Sequence, residues 1–409
     1  MVKEGYKQTE AGFIPEDWDT ITFRECFDVL PNNTLSRAEL NYNSGKIKNI
    51  HYGDVLIKFP EILDCERETL PFVNPECVSK LSTAVLQDGD IIIADTAEDN
   101  TVGKATEVIG IGEQRIVSGL HTIPCRPKQK DRFALKWLGY YVNHRVYHDQ
   151  LLPFVTGIKV SSISKGAIAD TVIAIPKKDE QKHIVEVLSD MDNLIISLEE
   201  LIVKKKAIME GAMQELLTGQ CRLPGFEGEW KNFALSDVAT IVMGQSPDSK
   251  YYNEVQGTPL VQGNADIENR KTIIRFYTTC VTKQAYKGDI IFTVRAPVGN
   301  VAHATFDCCL GRGVCAFRNA SQFLYHLLVY KQESWSELST GSTFDSINSD
   351  NLSKVEFNMP IDEGERDAIA EVLTSMDSEI ESLQLKLEKY KKMKSGMMDE
   401  LLTGKVRLV

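Results

Sequence analysis

His144 and His148 stand four apart on a helix predicted over 133–150, the spacing at which two imidazoles share a metal ion. A zinc hydrolase of that pattern needs a glutamate between them and a third ligand, but here Arg145, Val146 and Tyr147 intervene, so a tucked or solvated pair is expected. Asp95, Glu98 and Asp99 could hold a divalent cation for hydrolysis, yet they follow an apolar run and read as a polar loop. Gly103-Lys104-Ala105 lacks the hydroxyl and the upstream glycine of a phosphate-cradling loop, which excludes an ATPase of that class. Gly110-Ile111-Gly112 has Arg115 where a dinucleotide turn needs its third glycine. Gly311-Arg312-Gly313 with Ala316 fits the loose form, but 314–317 reads as strand and not as the helix start that a pyrophosphate requires. Asn74-Pro75-Glu76-Cys77 shares only two residues with the Asn/Asp-Pro-Pro-aromatic run that holds a flipped base in amino-methyltransferases. No catalytic residue and no metal ligand is therefore assigned.

What remains is polar loop chemistry suited to nucleic-acid surfaces. In the first half of the chain the candidates are Lys46, Lys48, His51, Tyr52, Lys58, Thr96, Lys104, His121, Arg126, Lys159, Ser161 and Ser162. In the second they are Gln245, Ser246, Lys250, Tyr251, Tyr252, Gln262, Asn264, Arg295, Asn300, Arg312, Ser342 and Thr343. Arginine and lysine suit guanine and phosphate, and the carboxamides suit adenine.

The elements that must position these residues are announced by a duplication. Residues 184–223 recur without a gap as 369–408, about half of the paired positions being identical, and both copies close on Glu-Leu-Leu-Thr-Gly followed by Arg-Leu. Apolar residues step through each copy by alternating fours and threes: Ile184, Leu188, Met191, Ile195, Leu198 and Ile202, continuing through Met209, Ala212 and Leu216, and Ile369, Leu373, Met376, Ile380, Leu383 and Leu387, continuing through Tyr390, Met397 and Leu401. Lys205 and Lys394 interrupt the two series. That period predicts a coiled-coil seam, and two copies that pair with each other cover both seams. A chain that builds a domain, a helix, a second domain and an equivalent helix closes with pseudo-twofold symmetry when those helices lie antiparallel.

The regions between, 12–176 and 225–360, share scattered signatures. Gly89-Asp90-Ile91-Ile92-Ile93 answers Gly288-Asp289-Ile290-Ile291-Phe292, and Val102-Gly103-Lys104 answers Val298-Gly299-Asn300. Each region reads as a mixed domain of short strands with a short helix (133–150; 322–338), a polar loop (156–164; 340–348) and a proline-marked exit. The expected fold class is α+β.

Lys plus Arg total 46 against 58 Asp plus Glu, a formal charge of −12, which disfavours a protein that clamps DNA alone. Nine cysteines without metal-type spacing read as free thiols in a reducing compartment. No secretory signal and no apolar run of membrane-spanning length is visible, so a cytoplasmic location is expected.

Taken together, the duplicated helix with its Glu-Leu-Leu-Thr-Gly ending, the opening Gly12-Phe13-Ile14-Pro15 and Trp18, the Gly-Asp-Ile-Ile strands and Glu180-Gln181 before the first helix resemble the specificity (S) subunit of type I restriction-modification systems. The resemblance covers nearly the whole chain. The second repeat departs from it with Glu365-Arg366 where Glu-Gln is usual. The resemblance implies two target recognition domains, 1–178 and 223–362, each reading half of a bipartite sequence in double-stranded DNA, with repeat helices over 179–222 and 363–409 that fix the unread gap. It also implies a subunit without catalysis or cofactor of its own. Two methyltransferase subunits that bind S-adenosylmethionine would dock on it, and two restriction subunits would add translocation driven by ATP and Mg. Two other readings stay open from the residues: an orphan scaffold or antirestriction decoy that binds methyltransferase without reading DNA, and a metal-dependent hydrolase with a coiled-coil hinge.

Overall fold

Each variable region turns at a glycine of positive φ, Gly89 (φ 87) or Gly288 (φ 96), and enters a fully buried strand, Ile91–Ala94 or Ile290–Thr293. The next residue is an aspartate in both. Asp90 is fully buried, accepts from the Gln87 N–H at 2.8 Å and takes a two-pronged bond from Arg126 at 2.8 and 2.7 Å. Asp289 likewise accepts from the Tyr286 N–H at 2.9 Å, with Arg318 at 3.6 Å. The carboxylate closes the turn and the arginine of a neighbouring strand compensates its charge.

The computed structural model describes residues 4–157, 160–335 and 346–409. It divides into two compact units, Met1–Ser197 with Leu387–Val409, and Leu198–Lys386. Both have mixed helix and strand content. In the first, a five-stranded sheet runs in the order Phe27–Val29, Thr122–Pro127, Ile91–Ala94, Ala105–Ile109, Ile62–Asp64, and a four-stranded one in the order Ile116–Ser118, Lys48–Ile50, Phe72–Val73, Leu40–Asn41. The second unit has the order Thr240–Met243, Val314–Arg318, Ile290–Thr293, Val301–His303, Lys271–Thr272, Ile267–Glu268 in one sheet. Its other sheet runs Tyr252–Asn253, Phe276–Thr278, Thr258–Val261, Cys308–Leu310, Gln284–Ala285. Apart from Ile267–Glu268 and Gln284–Ala285, which add one strand to each sheet of the second unit, the two units repeat one strand order, although their sequences share little here.

The short helices differ from expectation. The predicted helix over 133–150 is two, Trp137–Asn143 and Arg145–His148, because His144 is extended (φ −74, ψ 145) and its ring accepts from the Val146 N–H to cap the second. In the second unit the helix is Gln322–Tyr330, started by the Ser321 side chain; the remainder of 322–338 includes residues outside those described.

Two long helices, Lys178–Leu217 and Glu363–Leu401, each contribute one half to each unit. In the first unit Ile184 and Leu188 share a core with Trp18, Trp137, Met398, Leu401 and Leu402. In the second, Ile369, Leu373 and Ile380 share one with Met209, Met213, Leu216 and Leu217. Ile195, Leu198, Ile202 and Leu387 are also buried, while Met191, Met376 and Leu383 are half-buried. Polar anchors fix the partners. Arg407 bonds the buried Glu180 at 2.6 and 2.9 Å and Asp17 at 2.9 Å, while Trp18 Nε1 donates to Glu180 at 3.1 Å. Further along, Lys394 joins Asp192 at 2.7 Å and Glu61 at 2.9 Å. The order of contacts, 180 with 407 and then 192 with 394, means that the two segments in this unit run in opposite senses. The second unit repeats the arrangement: Arg222 grips the fully buried Glu365 and stacks on Trp230, and Lys205 meets Glu379 at 2.7 Å. At the next residue the units part. Gln181 accepts from the Ala134 N–H and donates to the Arg132 and Pro176 carbonyls, whereas Arg366 donates to Glu363 and lies over Phe233.

Arg126→Ala strands a buried carboxylate and should cost about 3 kcal/mol in denaturant titration, with partial recovery in the Asp90→Asn, Arg126→Ala double variant; a single variant of wild-type stability would contradict the pairing. His326, 1% exposed, has Nε2 3.0 Å from Thr374 Oγ1, and burial, helped by His303 and Arg270, pulls its pKa down to about 4. The folded ring stays neutral while the unfolded one takes up a proton below about 6.5, so stability is full above that pH and falls by about 3 kcal/mol as pH drops toward 4. Unfolding of His326→Phe should lack that slope, and an unchanged slope would assign it to other groups.

Candidate nucleic-acid interface

In the first unit the strand Ile91–Ala94 continues into Thr96–Ala97, which pairs with Ser161–Ser162, Thr96 opposite Ser162. The Asp95 N–H donates to the His121 carbonyl at 3.1 Å. Asp95 Oδ1 accepts from Thr96 Oγ1 at 2.8 Å and lies 3.3 Å from His121 Nδ1. His121 takes a left-handed backbone (φ 53), and its ring meets Tyr52 edge-on at 5.2 Å. Tyr52 lies against His51 at 4.6 Å, whose Nδ1 accepts from the Gly53 N–H at 3.2 Å. Burial lowers the His51 pKa, which favours the neutral ring that this acceptor role needs. Thr96, His121, Ser161, Ser162, His51 and Tyr52 thus converge on one patch.

The fold accounts for several of the candidate cations without any ligand. Arg126 serves Asp90 as described. Lys48 donates to Gln114 Oε1 at 2.5 Å over the Phe72 ring, Lys58 pairs with Glu68 at 2.6 Å, and Lys104 donates to the Leu56 carbonyl at 2.9 Å, with burial lowering its pKa. Lys46 is exposed. Lys159, Ser342 and Thr343 lie outside the described residues. His144 and His148 do not share a ligand position: His144 Nε2 is 3.1 Å from Asp399 and His148 Nε2 is 2.9 Å from the Val102 carbonyl. Asp99 is occupied by Thr101, and among the described residues no group of three or more His, Cys, Asp or Glu side chains is placed to hold a metal ion.

In the second unit, Arg312 and Ser246 are joined backbone to hydroxyl at 3.0 Å, and Asn300 donates to Asn264 through their carboxamides. The Gln262 N–H donates to the Asp266 carboxylate at 2.7 Å, and the Gln245 N–H to the Leu310 carbonyl at 2.9 Å. The Val294 N–H donates to the Gly313 carbonyl at 2.9 Å, which brings the exposed Arg295 beside Gly311-Arg312-Gly313. Gln245, Ser246, Gln262, Asn264, Arg295, Asn300 and Arg312 therefore gather at one end of the sheets. Lys250, Tyr251 and Tyr252 belong to a separate edge, where Lys250 covers the Tyr251 ring and Tyr252 donates to the Pro247 carbonyl.

The two patches are one patch built twice. The Gly119 N–H bonds the Ile50 carbonyl as Gly311 bonds Val261; Asp95 bonds His121 as Val294 bonds Gly313; Ile163 bonds Asp95 as Ile347 bonds Val294. The pairing of Thr96 with Ser162 answers a bridge between Arg295 and Ser346. By this register Thr96 corresponds to Arg295, Lys104 to Asn300, His51 to Gln262 and Leu120 to Arg312. Ser346 was not among the residues singled out from the sequence. The signal that finds it is the isoleucine that follows it in both units, Ile163 and Ile347.

Comparison with known proteins agrees with this duplicated plan. A family model described as the type I restriction modification DNA specificity domain matches residues 15–207 and again 227–389. A protein of Methanocaldococcus jannaschii named "Putative type I restriction enzyme MjaX specificity subunit" is 28% identical over 429 residues, spanning 99% of this chain and 97% of that protein. The MjaVIII specificity subunit of the same organism is 26% identical over 234 residues, 54% of this chain and 50% of its own. Among solved structures, the type I restriction-modification S subunit from M. genitalium superposes with a TM-score of 0.62 at 12% identity, covering 94% of this chain and 96% of that one. A chain from a study of complex assembly and conformational transition of the type I R-M system gives 0.59 at 21% identity, covering 96% and 99%. Both structural likenesses concern the fold. With two matches to its model that together take in most of the sequence, the chain belongs to the type I restriction-modification DNA specificity family, as a specificity subunit that carries the domain twice.

Proposed function

We propose that the two patches read the two halves of a bipartite target in double-stranded DNA. The supporting observation is the constant framework with exchanged side chains: the same backbone bonds present Thr96, His51 and Leu120 in one unit and Arg295, Gln262 and Arg312 in the other. A scaffold that holds position and varies donors and acceptors is what discrimination of base edges requires. In this reading residues 1–178 and 223–362 are target recognition domains. The long helices, over 179–222 and 363–409, pair as an antiparallel coiled coil with pseudo-twofold symmetry and set the unread gap, a role favoured by the recurrence of Glu180 with Arg407 as Glu365 with Arg222.

The reaction belongs to partners. Two methyltransferase subunits that carry S-adenosylmethionine dock on the helices and recognition domains, and two restriction subunits supply ATP- and Mg-dependent translocation and cleavage; this chain is non-catalytic and works in the cytoplasm. Partner surfaces then furnish much of the phosphate neutralisation that a chain of charge −12 lacks. No helix among the described residues is long and apolar enough to cross a membrane.

Sequencing of modified sites in cells that express the chain with its methyltransferase tests the reading, with two separated half-sites as the expected outcome. One contiguous site would refute it, and a complex that binds no preferred sequence would mark a decoy. Insertion of one heptad after Lys206 together with one after Lys391 should lengthen the gap by about three base pairs, from roughly 1.5 Å per helical residue against 3.4 Å per base pair, with both half-sites unchanged. Unaltered spacing in the same sequencing would remove the helices as the ruler.

A further inference from the structure

Arg312 stands on a backbone pedestal. Its glycine neighbours are pressed against adjoining chain: a Cβ on Gly311 would come within 2.9 Å of Gln262 Cα, one on Gly313 within 2.2 Å of the Gln262 carbonyl oxygen, and one on Gly244 within 2.0 Å of the Gly311 oxygen. Hydrogen bonds hold Gly311, Arg312 and Gly313 in turn, Arg312 N–H to Ser246 Oγ at 3.0 Å, Gly311 N–H to the Val261 carbonyl at 2.8 Å, and Val294 N–H to the Gly313 carbonyl at 2.9 Å. The side chain itself is exposed and, among the described residues, pairs with no carboxylate. Arg126, Arg222, Arg318 and Arg407 are the contrast, each tied to a buried or nearly buried aspartate or glutamate. A guanidinium that springs from fixed backbone, and that the described residues leave without a partner, adds no backbone ordering to the cost of docking, and its planar fork matches the O6 and N7 acceptors of guanine.

We infer that Arg312 reads a guanine through a bidentate pair in the major groove of the half-site taken by the second unit, and that the first unit makes no such contact from the same place, where the half-buried Leu120 stands. The inference rests on the DNA-reading role proposed above and adds the residue, the base and the asymmetry between half-sites. Ser246 acts as a positioning residue, since it touches the pedestal and not the guanidinium.

Complexes of the methyltransferase partner with the wild-type chain, Arg312→Lys and Arg312→Ala can be bound to duplexes randomised at both half-sites, at about 50 and 200 mM salt, and the bound DNA sequenced. The wild type should demand guanine at one position of one half-site. Arg312→Lys keeps the charge and should lower discrimination at that position by roughly 5- to 150-fold, with the other half-site unchanged. Persistence of the guanine demand in both variants overturns the inference. So does a uniform loss across all sequences with a salt slope reduced by about 1, which identifies a phosphate contact. A wild-type complex that selects no bipartite sequence removes the underlying role as well, and that result is visible before any substitution is made.

Discussion

A carboxylate withdrawn from water is costly unless a cation meets it with good geometry. This chain places such a carboxylate at the start of each long helix. Glu180 and Glu365 are buried, and each is met by the arginine that closes the other copy of the repeat, Arg407 or Arg222. Because the partner comes from the far end of the duplicated segment, the root of each helix is fastened to the end of its counterpart. The tryptophans, Trp18 and Trp230, lie against those same arginines, so the ion pair borders the apolar core in both units.

On that base each unit raises the same sheets and the same glycine turns, and the side chains offered at the loops are what change. Much of the conspicuous charge is consumed in support. Arg126 balances Asp90, Lys104 caps a helix carbonyl, and Lys58 answers Glu68. The residues left to meet a ligand are fewer and more polar than the cation count suggests, which fits a reader whose strength comes from a larger assembly.

The two long helices were legible because a heptad is a local, repeated signal, and the gapless duplication marked it twice. Strands were legible only where a glycine turn and an apolar run coincided, as at Gly89 and Gly288. The rest depended on pairings distant in the chain: Arg126 could not be seen as structural without Asp90 across the sheet, nor Lys48 without Gln114. The helix over 133–150 was read as continuous because its apolar residues keep period, yet the His144 side chain offers the backbone a better start one turn later. The equivalence of Thr96 with Arg295 was hidden because backbone bonds preserve it while side chains do not.

Gln181 and Arg366 occupy matching places and do different work. The carboxamide accepts and donates, stitching three backbone groups of the first unit to the root of its helix. A guanidinium has no acceptor and here spends its donors on Glu363. At this position the second long helix is tied to fewer backbone groups than the first, so local opening there costs less than at Gln181.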